Sequence, residues 1–414
     1  LAPDKASLIT TNELGSKFVE YFSKNLSIKE VMEEMKSKGV KMSTIQSELN
    51  NFLIKVEKNG FYEDSVVKEV DIKPSLQIDI TNKCNLTCVH CLRDAGKPSE
   101  NELDTPEWLK VIDDFSSLFK TDVTISGGEP LVHPGFFNII KKAKEKGLGV
   151  TLFTNGVLIN EEYAKKLQGY VKRIQVSLDG ATEEVNDKIR GRGSFGKVLK
   201  AVSLLYDTDI VLDMAFSLMP SNLKNFYENI EELIKTVGPK INFKLSEVVK
   251  FGRADSTHMF PDKNGRRLEP EAKKLRDHLY KRRLKAPPGS SKNIMLLNCG
   301  YGEMVTISSV GDIYPCPLYE SSVKHGNIRN DDFKEILKKI DADRQKCSTK
   351  NMEECKTCDL RSRCSGGCRI NNIYYNGDIL KPECIQKPDY KDWMYSVIMD
   401  HERNNPRSLW LGKE

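Results

Sequence analysis

Three cysteines, Cys84, Cys88 and Cys91, fall within eight residues in the run Cys84-Asn85-Leu86-Thr87-Cys88-Val89-His90-Cys91. A thiolate is a metal ligand, and a short loop with this spacing can wrap three of them around one face of a cubane four-iron cluster. A cube has four irons, so three ligands leave one iron open for a chelating substrate. A structural zinc site wants four closed ligands and would have to borrow His90. Three unrelated thiols are the blandest alternative. The other eight cysteines lie between 299 and 384, and none lies between 92 and 298. Clustering of this kind points to metal ligation, and in a cytoplasmic chain it argues against disulfides.

The elements that must carry these residues follow from periodicity. Candidate strands are Leu76–Thr81, Asp122–Ser126, Val150–Phe153, Arg173–Leu178, Ile210–Leu218 and Ile241–Leu245, with amphipathic segments such as Pro134–Lys146 and Glu161–Gln168 between them. Six strand–loop–helix units predict an α/β fold, a partial (β/α)6 TIM-type barrel over 73–250. Ligand sites in such sheets lie at the C-terminal strand ends. The cysteine trio follows strand one, Gly127-Gly128-Glu129 strand two, Thr154-Asn155-Gly156 strand three and Asp179-Gly180 strand four. Taken singly, Glu129 reads as a surface carboxylate, Arg190 as a helix-end cation and Ser177 as unremarkable. Their placement at one mouth raises them.

Residues 1–72 read as a winged-helix-like unit. Ser27-Ile28-Lys29-Glu30 and Ser43-Thr44-Ile45-Gln46 are capping-box patterns before apolar runs, Lys58-Asn59-Gly60 ends a helix, and Phe61-Tyr62 and Val66–Val70 are possible strands. Residues 251–298 form a polar bridging region with an exposed linker at Pro287-Pro288-Gly289-Ser290-Ser291. Residues 299–384 are turn-rich, with helical periodicity only near Asp331–Ile340, and are expected to be organised by metal. Residues 385–414 hold a last helix, near Lys391–His401, and a tail.

The 414 residues exceed what one core ordinarily serves. Lys+Arg 64 against Asp+Glu 59 gives a net charge of only +5, well mixed, which speaks against a nucleic-acid partner. No run reaches the roughly 20 apolar residues of a membrane span. Leu1-Ala2-Pro3-Asp4-Lys5 lacks the basic stretch and apolar core of a signal peptide, so the expected location is the cytoplasm.

The trio after strand one, together with Ser126-Gly127-Gly128-Glu129-Pro130, resembles the radical S-adenosylmethionine superfamily over roughly 73–250. The resemblance implies that Cys84, Cys88 and Cys91 bind a [4Fe-4S] cluster whose open iron is chelated by S-adenosylmethionine. Reductive cleavage there gives a 5′-deoxyadenosyl radical. The same resemblance implies that Gly127, Gly128 and Glu129 receive the methionyl amine and that Ser177 and Asp179 contact the ribose. It further implies that Arg190 pairs with the cofactor carboxylate, that His90 packs beside the adenine, and that Asn155 belongs to the cofactor contacts. No catalytic acid, base or hydrogen donor is assigned.

Cys299, Gly311 and Cys316, then Cys355-x2-Cys358-x5-Cys364-x3-Cys368 and Cys384, resemble the SPASM extension of radical enzymes that mature peptides and proteins. Cys355-x2-Cys358 alone would equally be half a zinc ribbon. The resemblance implies two auxiliary [4Fe-4S] clusters, three in all. The distal one takes Cys355, Cys358, Cys364 and Cys384; the proximal one takes Cys299, Cys316 and Cys368. No further Cys lies between Cys299 and Cys316, so the proximal cluster has an open iron or a ligand from elsewhere. Cys347 is the spare thiol.

Residues 1–70 resemble the peptide-recognition element related to the small chaperone of pyrroloquinoline-quinone biosynthesis, which adds a leader peptide as an extra strand. A helical cap on the barrel is the plainer reading. The combination implies a maturase of a ribosomally made precursor peptide, supplied with electrons by a flavodoxin- or ferredoxin-type donor. Formation of an intramolecular Cys thioether is the specific expectation. Carbon–carbon crosslinking, tetrapyrrole side-chain modification of the haem-biosynthesis type, sulfatase-maturing oxidation and a non-enzymatic iron–sulfur scaffold are the alternatives.

Overall fold

A computed structural model describes residues 11–58, 73–260, 275, 297–318, 321–386, 391–392 and 394–395. The chain folds as two compact units. One contains the barrel and residues 300–346; the other contains the N-terminal helices, the residues up to Cys299 that precede the barrel's last strands, and the chain from Cys347 onward.

In the barrel unit, β1 (Ser75–Asp79), β2 (Asp122–Ser126), β3 (Gly149–Thr154), β4 (Arg173–Ser177), β5 (Val211–Leu218) and β6 (Asn242–Glu247) pair in sequence order, all parallel. This is the expected six-stranded partial barrel, with strand ends within two residues of those read from the sequence. Ile80 N still donates to Ser126 O at 3.0 Å beyond the end of β1, and Thr81 begins the loop that carries the cysteines.

Each strand turns its apolar set outward. Leu76 and Ile78, Val123 and Ile125, Val150 and Leu152, Ile174 and Val176, and Met214 and Phe216 are buried in one core under the helices. Trp108, Ile112 and Phe115 of α4 (Thr105–Leu118) and Ile139 and Ile140 of α5 (Phe136–Glu145) fill it from outside. Each such side chain stabilises the fold by roughly 1.5–3 kcal/mol. The alternate positions, on the opposite face of the pleat, are polar: Gln77, Thr124, Thr151, Asp213 and Thr306 are all buried. A closed eight-stranded barrel fills that space with branched apolar residues; this one does not.

The sheet continues beyond residue 250. Strand β7 (Met304–Ile307) joins β1 in parallel, Ser75 opposite Met304, and β8 (Asp312–Tyr314) and β9 (Gly326–Asn327) follow antiparallel. The region expected to be organised by metal therefore starts as sheet. Met-Val-Thr-Ile is too short to show an alternation, so nothing in the sequence separated it from a buried loop. Helix Phe333–Lys346 then covers the position expected near Asp331–Ile340.

In the other unit, α1 (Glu13–Ser23), α2 (Ile28–Ser37) and α3 (Met42–Lys58) enclose a small core of Phe18, Val31, Met35, Ile45, Leu49 and Phe52. The Ser27–Glu30 capping box is present, Ser27 Oγ accepting from Glu30 N at 3.3 Å and Ser27 N donating to Glu30 at 2.7 Å. The second expected box is not: α3 starts at Met42, so Ser43 already lies inside its first turn. Helix α1 was not foreseen. The possible strands at 61–70 and the Pro287–Ser291 linker lie outside the described residues, as do residues 396–401 of the last expected helix, of which 391–392 and 394–395 are helical. Among the described residues no helix is long and apolar enough to cross a membrane.

Candidate active site

The cysteine loop is irregular, so its backbone groups need partners from elsewhere. Glu102 supplies several: its carboxylate accepts from Thr81 Oγ1 (2.7 Å), Asn82 N (2.6 Å) and Ser99 N (2.9 Å). Trp108 Nε1 donates to Ile80 O from the core, and Cys84 N donates to Gly96 O at 2.9 Å. The loop after β2 is laid against the same segment, Gly128 N on Thr81 O (2.7 Å) and Glu129 N on Lys83 O (2.9 Å). A Cβ on Gly127 would stand 2.4 Å from Thr81 O, and one on Gly128 would stand 2.4 Å from Lys83 O. The two glycines are thus required by close backbone approach between loops, besides the cofactor access for which they were singled out.

Glu129 is wholly buried. Its Oε1 accepts from Thr154 Oγ1 (2.7 Å) and Leu131 N (3.1 Å), its Oε2 from Asn155 N (2.7 Å). Burial pushes its carboxyl up to about 7 against these hydrogen bonds. The carboxylate foreseen as an ammonium acceptor thus ties the loop after β2 to the loop after β3. Asn155, so fixed, extends Nδ2 to Asn85 Oδ1 (2.8 Å) and toward Cys84 Sγ (3.9 Å).

Asp179 and Arg190, expected to meet ribose and carboxylate separately, meet each other. Arg190 Nε lies 2.6 Å from Asp179 Oδ2, with His90 Nε2 at 3.2 Å from the same oxygen. Asp179 Oδ1 accepts from Ser217 N, and its backbone is held by Asn186 and Asn222. Arg190 comes from the last turn of α7 (Glu183–Arg190), and its Nη1 points at Cys88 Sγ, 3.8 Å away. Burial lowers the His90 pKa, which makes the ring neutral, and its Nδ1 is buried without a partner. Ser177 is half-buried at the end of β4.

Two residues at this mouth were missed. In the stretch after β6, Arg253 Nε donates to Cys88 O (2.9 Å), Nη1 to Ala95 O (2.7 Å) and Asp94 Oδ1 (2.9 Å), and its backbone N to Cys91 O (3.0 Å). Gly252 beside it is packed on Cys91 O and Leu92 O. A glycine with a polar neighbour in the loop after a strand, here five residues beyond β6, is the signal that could have found them. Glu102 gave no such signal.

The donor set fits a cluster with one open iron. Cys84 Sγ accepts from Leu86 N (3.5 Å) and Cys91 Sγ from Ala95 N (3.4 Å), and Arg190 faces Cys88. Such bonds suit thiolate ligands. His90, the fourth ligand that zinc would need, is turned to Asp179. As free thiols two of the ligands resist ionisation: burial pushes Cys84 up to about 11 and raises Cys88 as well. Binding metal here therefore releases protons.

In the other unit, Cys355, Cys358, Cys364 and Cys384 are within electrostatic reach of one another, and burial pushes Cys355 up to about 12 and Cys384 to about 11. Cys368 and Cys299 likewise feel each other. Cys316 follows β8 in the barrel unit. Cys347 is buried, and its carbonyl accepts from Arg369 Nε (2.9 Å) and Nη2 (2.6 Å).

Residues 78–237 match the family model described as the radical SAM superfamily, and residues 299–359 the model for the SPASM iron–sulfur cluster-binding domain. The chain is 31% identical over 338 residues to the mycofactocin maturase MftC of Mycobacterium ulcerans, covering 77% of this chain and 89% of that one. The chain belongs to the radical SAM superfamily. This radical SAM–SPASM enzyme is equally similar to an AdoMet-dependent heme synthase of Methanosarcina barkeri, at 30% identity over 76% of this chain and 96% of the other. It is 28% identical to the subtilosin biosynthesis protein AlbA of Bacillus subtilis, over 72% and 67%. Its fold is that of Streptococcus suis SuiB, solved bound to the precursor peptide SuiA, with a TM-score of 0.58 at 16% identity, covering 90% of this chain and 92% of that one. Membership in the two families implies an S-adenosylmethionine-binding four-iron cluster together with auxiliary clusters.

Proposed function

We propose that this radical SAM–SPASM enzyme matures a ribosomally made precursor peptide by closing an intramolecular Cys thioether. The observation that carries the peptide reading is the three-helix unit of residues 13–58, which has its own core and precedes the barrel. The likeness to a peptide-bound structure extends over nine-tenths of the chain, and two relatives are named as a mycofactocin maturase and a bacteriocin biosynthesis protein. In this reading Cys84, Cys88 and Cys91 hold the S-adenosylmethionine cluster. Cys355, Cys358, Cys364 and Cys384 hold the distal auxiliary cluster, and Cys299, Cys316 and Cys368 the proximal one. Glu129 and Asn155 fix the strand-end loops that would receive the cofactor, and the Asp179–Arg190–His90 group lines the same mouth beside Cys88. When bound, the reduced cluster supplies the electron that splits the sulfonium and yields the adenosyl radical. The chain's part is to hold the thiolates, to line the barrel with polar groups and to exclude water. A flavodoxin- or ferredoxin-type protein delivers the electron.

The thioether is favoured over a carbon–carbon link because the proximal set has only three thiols, which suits capture of a substrate thiolate. Mass spectrometry of a Cys-containing precursor co-expressed with the enzyme should show a loss of two hydrogens per link, and blocking that Cys by Ala substitution should abolish it. Loss of two hydrogens that survives the Cys→Ala change would establish carbon–carbon crosslinking instead. The second reading, modification of a tetrapyrrole, is supported by the heme synthase relative. It predicts turnover of an iron porphyrin by protein truncated before residue 73.

A further inference from the structure

The stretch after β6 makes more contact with the cysteine loop than any role in cofactor binding requires. Arg253 reaches the carbonyls of Cys88, Cys91 and Ala95, at 2.9, 3.0 and 2.7 Å, counting its backbone amide. These carbonyls belong to no helix or strand; Cys88 O and Cys91 O accept one turn hydrogen bond each, from Cys91 N and Asp94 N, and Arg253 gives each a second donor from a distant part of the chain. Gly252, at φ +61, has room for no side chain: a Cβ would sit 2.1 Å from Cys91 O and 2.6 Å from Leu92 O. The two segments are about 160 positions apart in the chain, so this is a tertiary clamp and not local turn chemistry.

The clamp is also charged. The Arg253 side chain is 27% exposed, and its carboxylate partner among the described residues is Asp94, which is 68% exposed. A counter-ion that wet neutralises little of the guanidinium's field toward the interior. On the inner side the guanidinium lies on the backbone of Cys88, whose sulfur is faced by Arg190. Two cations thus approach one of the three cysteines, Arg253 at its carbonyl from the stretch after β6 and Arg190 at its sulfur from the end of α7. Positive charge and hydrogen bonding at a cluster ligand favour the reduced, more negative state.

We infer that Arg253 is a positioning residue for the S-adenosylmethionine cluster, which pre-forms the cysteine loop by holding its carbonyls and eases one-electron reduction by placing a positive charge against Cys88. The inference rests on the reading of Cys84, Cys88 and Cys91 as the cluster ligands. It needs nothing from the auxiliary clusters.

The test is a dithionite-mediated redox titration of the full-length, reconstituted protein followed by electron paramagnetic resonance. The signal that changes on adding S-adenosylmethionine reports this cluster alone. At the wild-type midpoint, Arg253→Gln should lower the ratio of reduced to oxidised cluster about tenfold, a shift of 59 mV for one electron. Asp94→Asn removes only the exposed counter-ion and should move the ratio the other way, by up to about threefold. Auxiliary-cluster signals should be unchanged in both. A ratio within twofold of wild type in Arg253→Gln overturns the inference, as does a shift of Asp94→Asn in the same direction as Arg253→Gln. Should Arg253→Gln fail to assemble its cluster, the sign of the Asp94→Asn shift decides. Failure of the underlying reading shows differently: wild-type protein then has no S-adenosylmethionine-responsive signal, or Cys88→Ala retains it.

Discussion

Arg190 Nε and Asp179 Oδ2 stand 2.6 Å apart in a site that water does not reach, with a cluster-loop sulfur on one side and the His90 ring on the other. Breaking a buried ion pair by removing one partner destabilises by about 3–5 kcal/mol, whereas replacing both with apolar residues is often neutral. Asp179→Asn should therefore unfold the barrel at markedly lower urea. Asp179→Leu with Arg190→Met should recover much of that loss while still failing to bind S-adenosylmethionine. Equilibrium denaturation and calorimetric titration of the two variants separate the structural from the ligand-binding part of the pair.

Arg190 depends in turn on Asp187, one turn earlier. That carboxylate accepts from Phe195 N (2.9 Å), Ser194 Oγ (3.0 Å) and Gly193 N, closing the end of α7 onto the start of the next helix, Ser194–Leu205. Burial acts to raise its pKa, but these hydrogen bonds outweigh it and hold the group below the usual value of 3.8. Its stabilisation is complete above the unfolded-state value and disappears as pH falls through the lower native one. Asp187→Asn should cost about 1–2 kcal/mol near pH 7. It should also lose the part of the wild-type acid sensitivity that sets in below about pH 4, readable from urea midpoints at pH 7 and pH 3.

Glu129 has the opposite sign. Burial raises its pKa to about 7 in the native fold from 4.5. Between those values the native state holds a proton that the unfolded chain has released, so stability falls as pH rises through that window and levels off above it. Glu129→Gln should flatten this pH dependence. It should also lower stability at pH 5, because its amide sets a donor against either Asn155 N or Leu131 N. Urea midpoints from pH 5 to pH 8 in the metal-free protein are the check. A midpoint independent of pH in the wild type would remove Glu129 from its assigned environment.

Among the described residues after Cys347, the large apolar side chains that are buried are Met352, Leu360 and Ile370. Of the segment's four neighbouring thiols, burial pushes Cys355 and Cys384 toward the neutral form, so cluster assembly must supply both the charge and much of the fold. Extraction of iron by a chelator should make residues 347–386 sensitive to limited proteolysis while the sheet of β1–β6 stays protected. Cys355→Ala should produce the same cleavage without chelator. Cys84→Ala should abolish 5′-deoxyadenosine formation and leave this segment resistant.

The six barrel strands were legible because each carries apolar residues at every second position beneath a helix, and Leu76/Ile78 or Val123/Ile125 can satisfy only one face. The mouth was legible because chemically apt residues recur at strand ends. What the sequence concealed were relationships made by tertiary approach. Glu129 is aimed at Thr154 and Asn155, Asp179 at Arg190, and Arg253 at the cysteine loop. None of these pairings has a local signature, since each joins different loops. Strand β7 was hidden because four residues are too few to display a period. Ser43 misled because a Ser-x-x-Gln pattern also occurs inside a helix, where Met42 already provides the first turn.

The sheet takes its stability from its convex side, where Phe115, Trp108 and Ile139 pack, while its concave side is hydroxyls, amides and ion pairs such as Arg173–Asp213 at 2.7 Å. Folding and guest selection are thereby written on opposite surfaces of the same strands. Inward polar residues can be exchanged without disturbing the outer layer where partners such as Arg173 and Asp213 change together, so a scaffold of this kind can change what it accommodates while keeping its apolar packing.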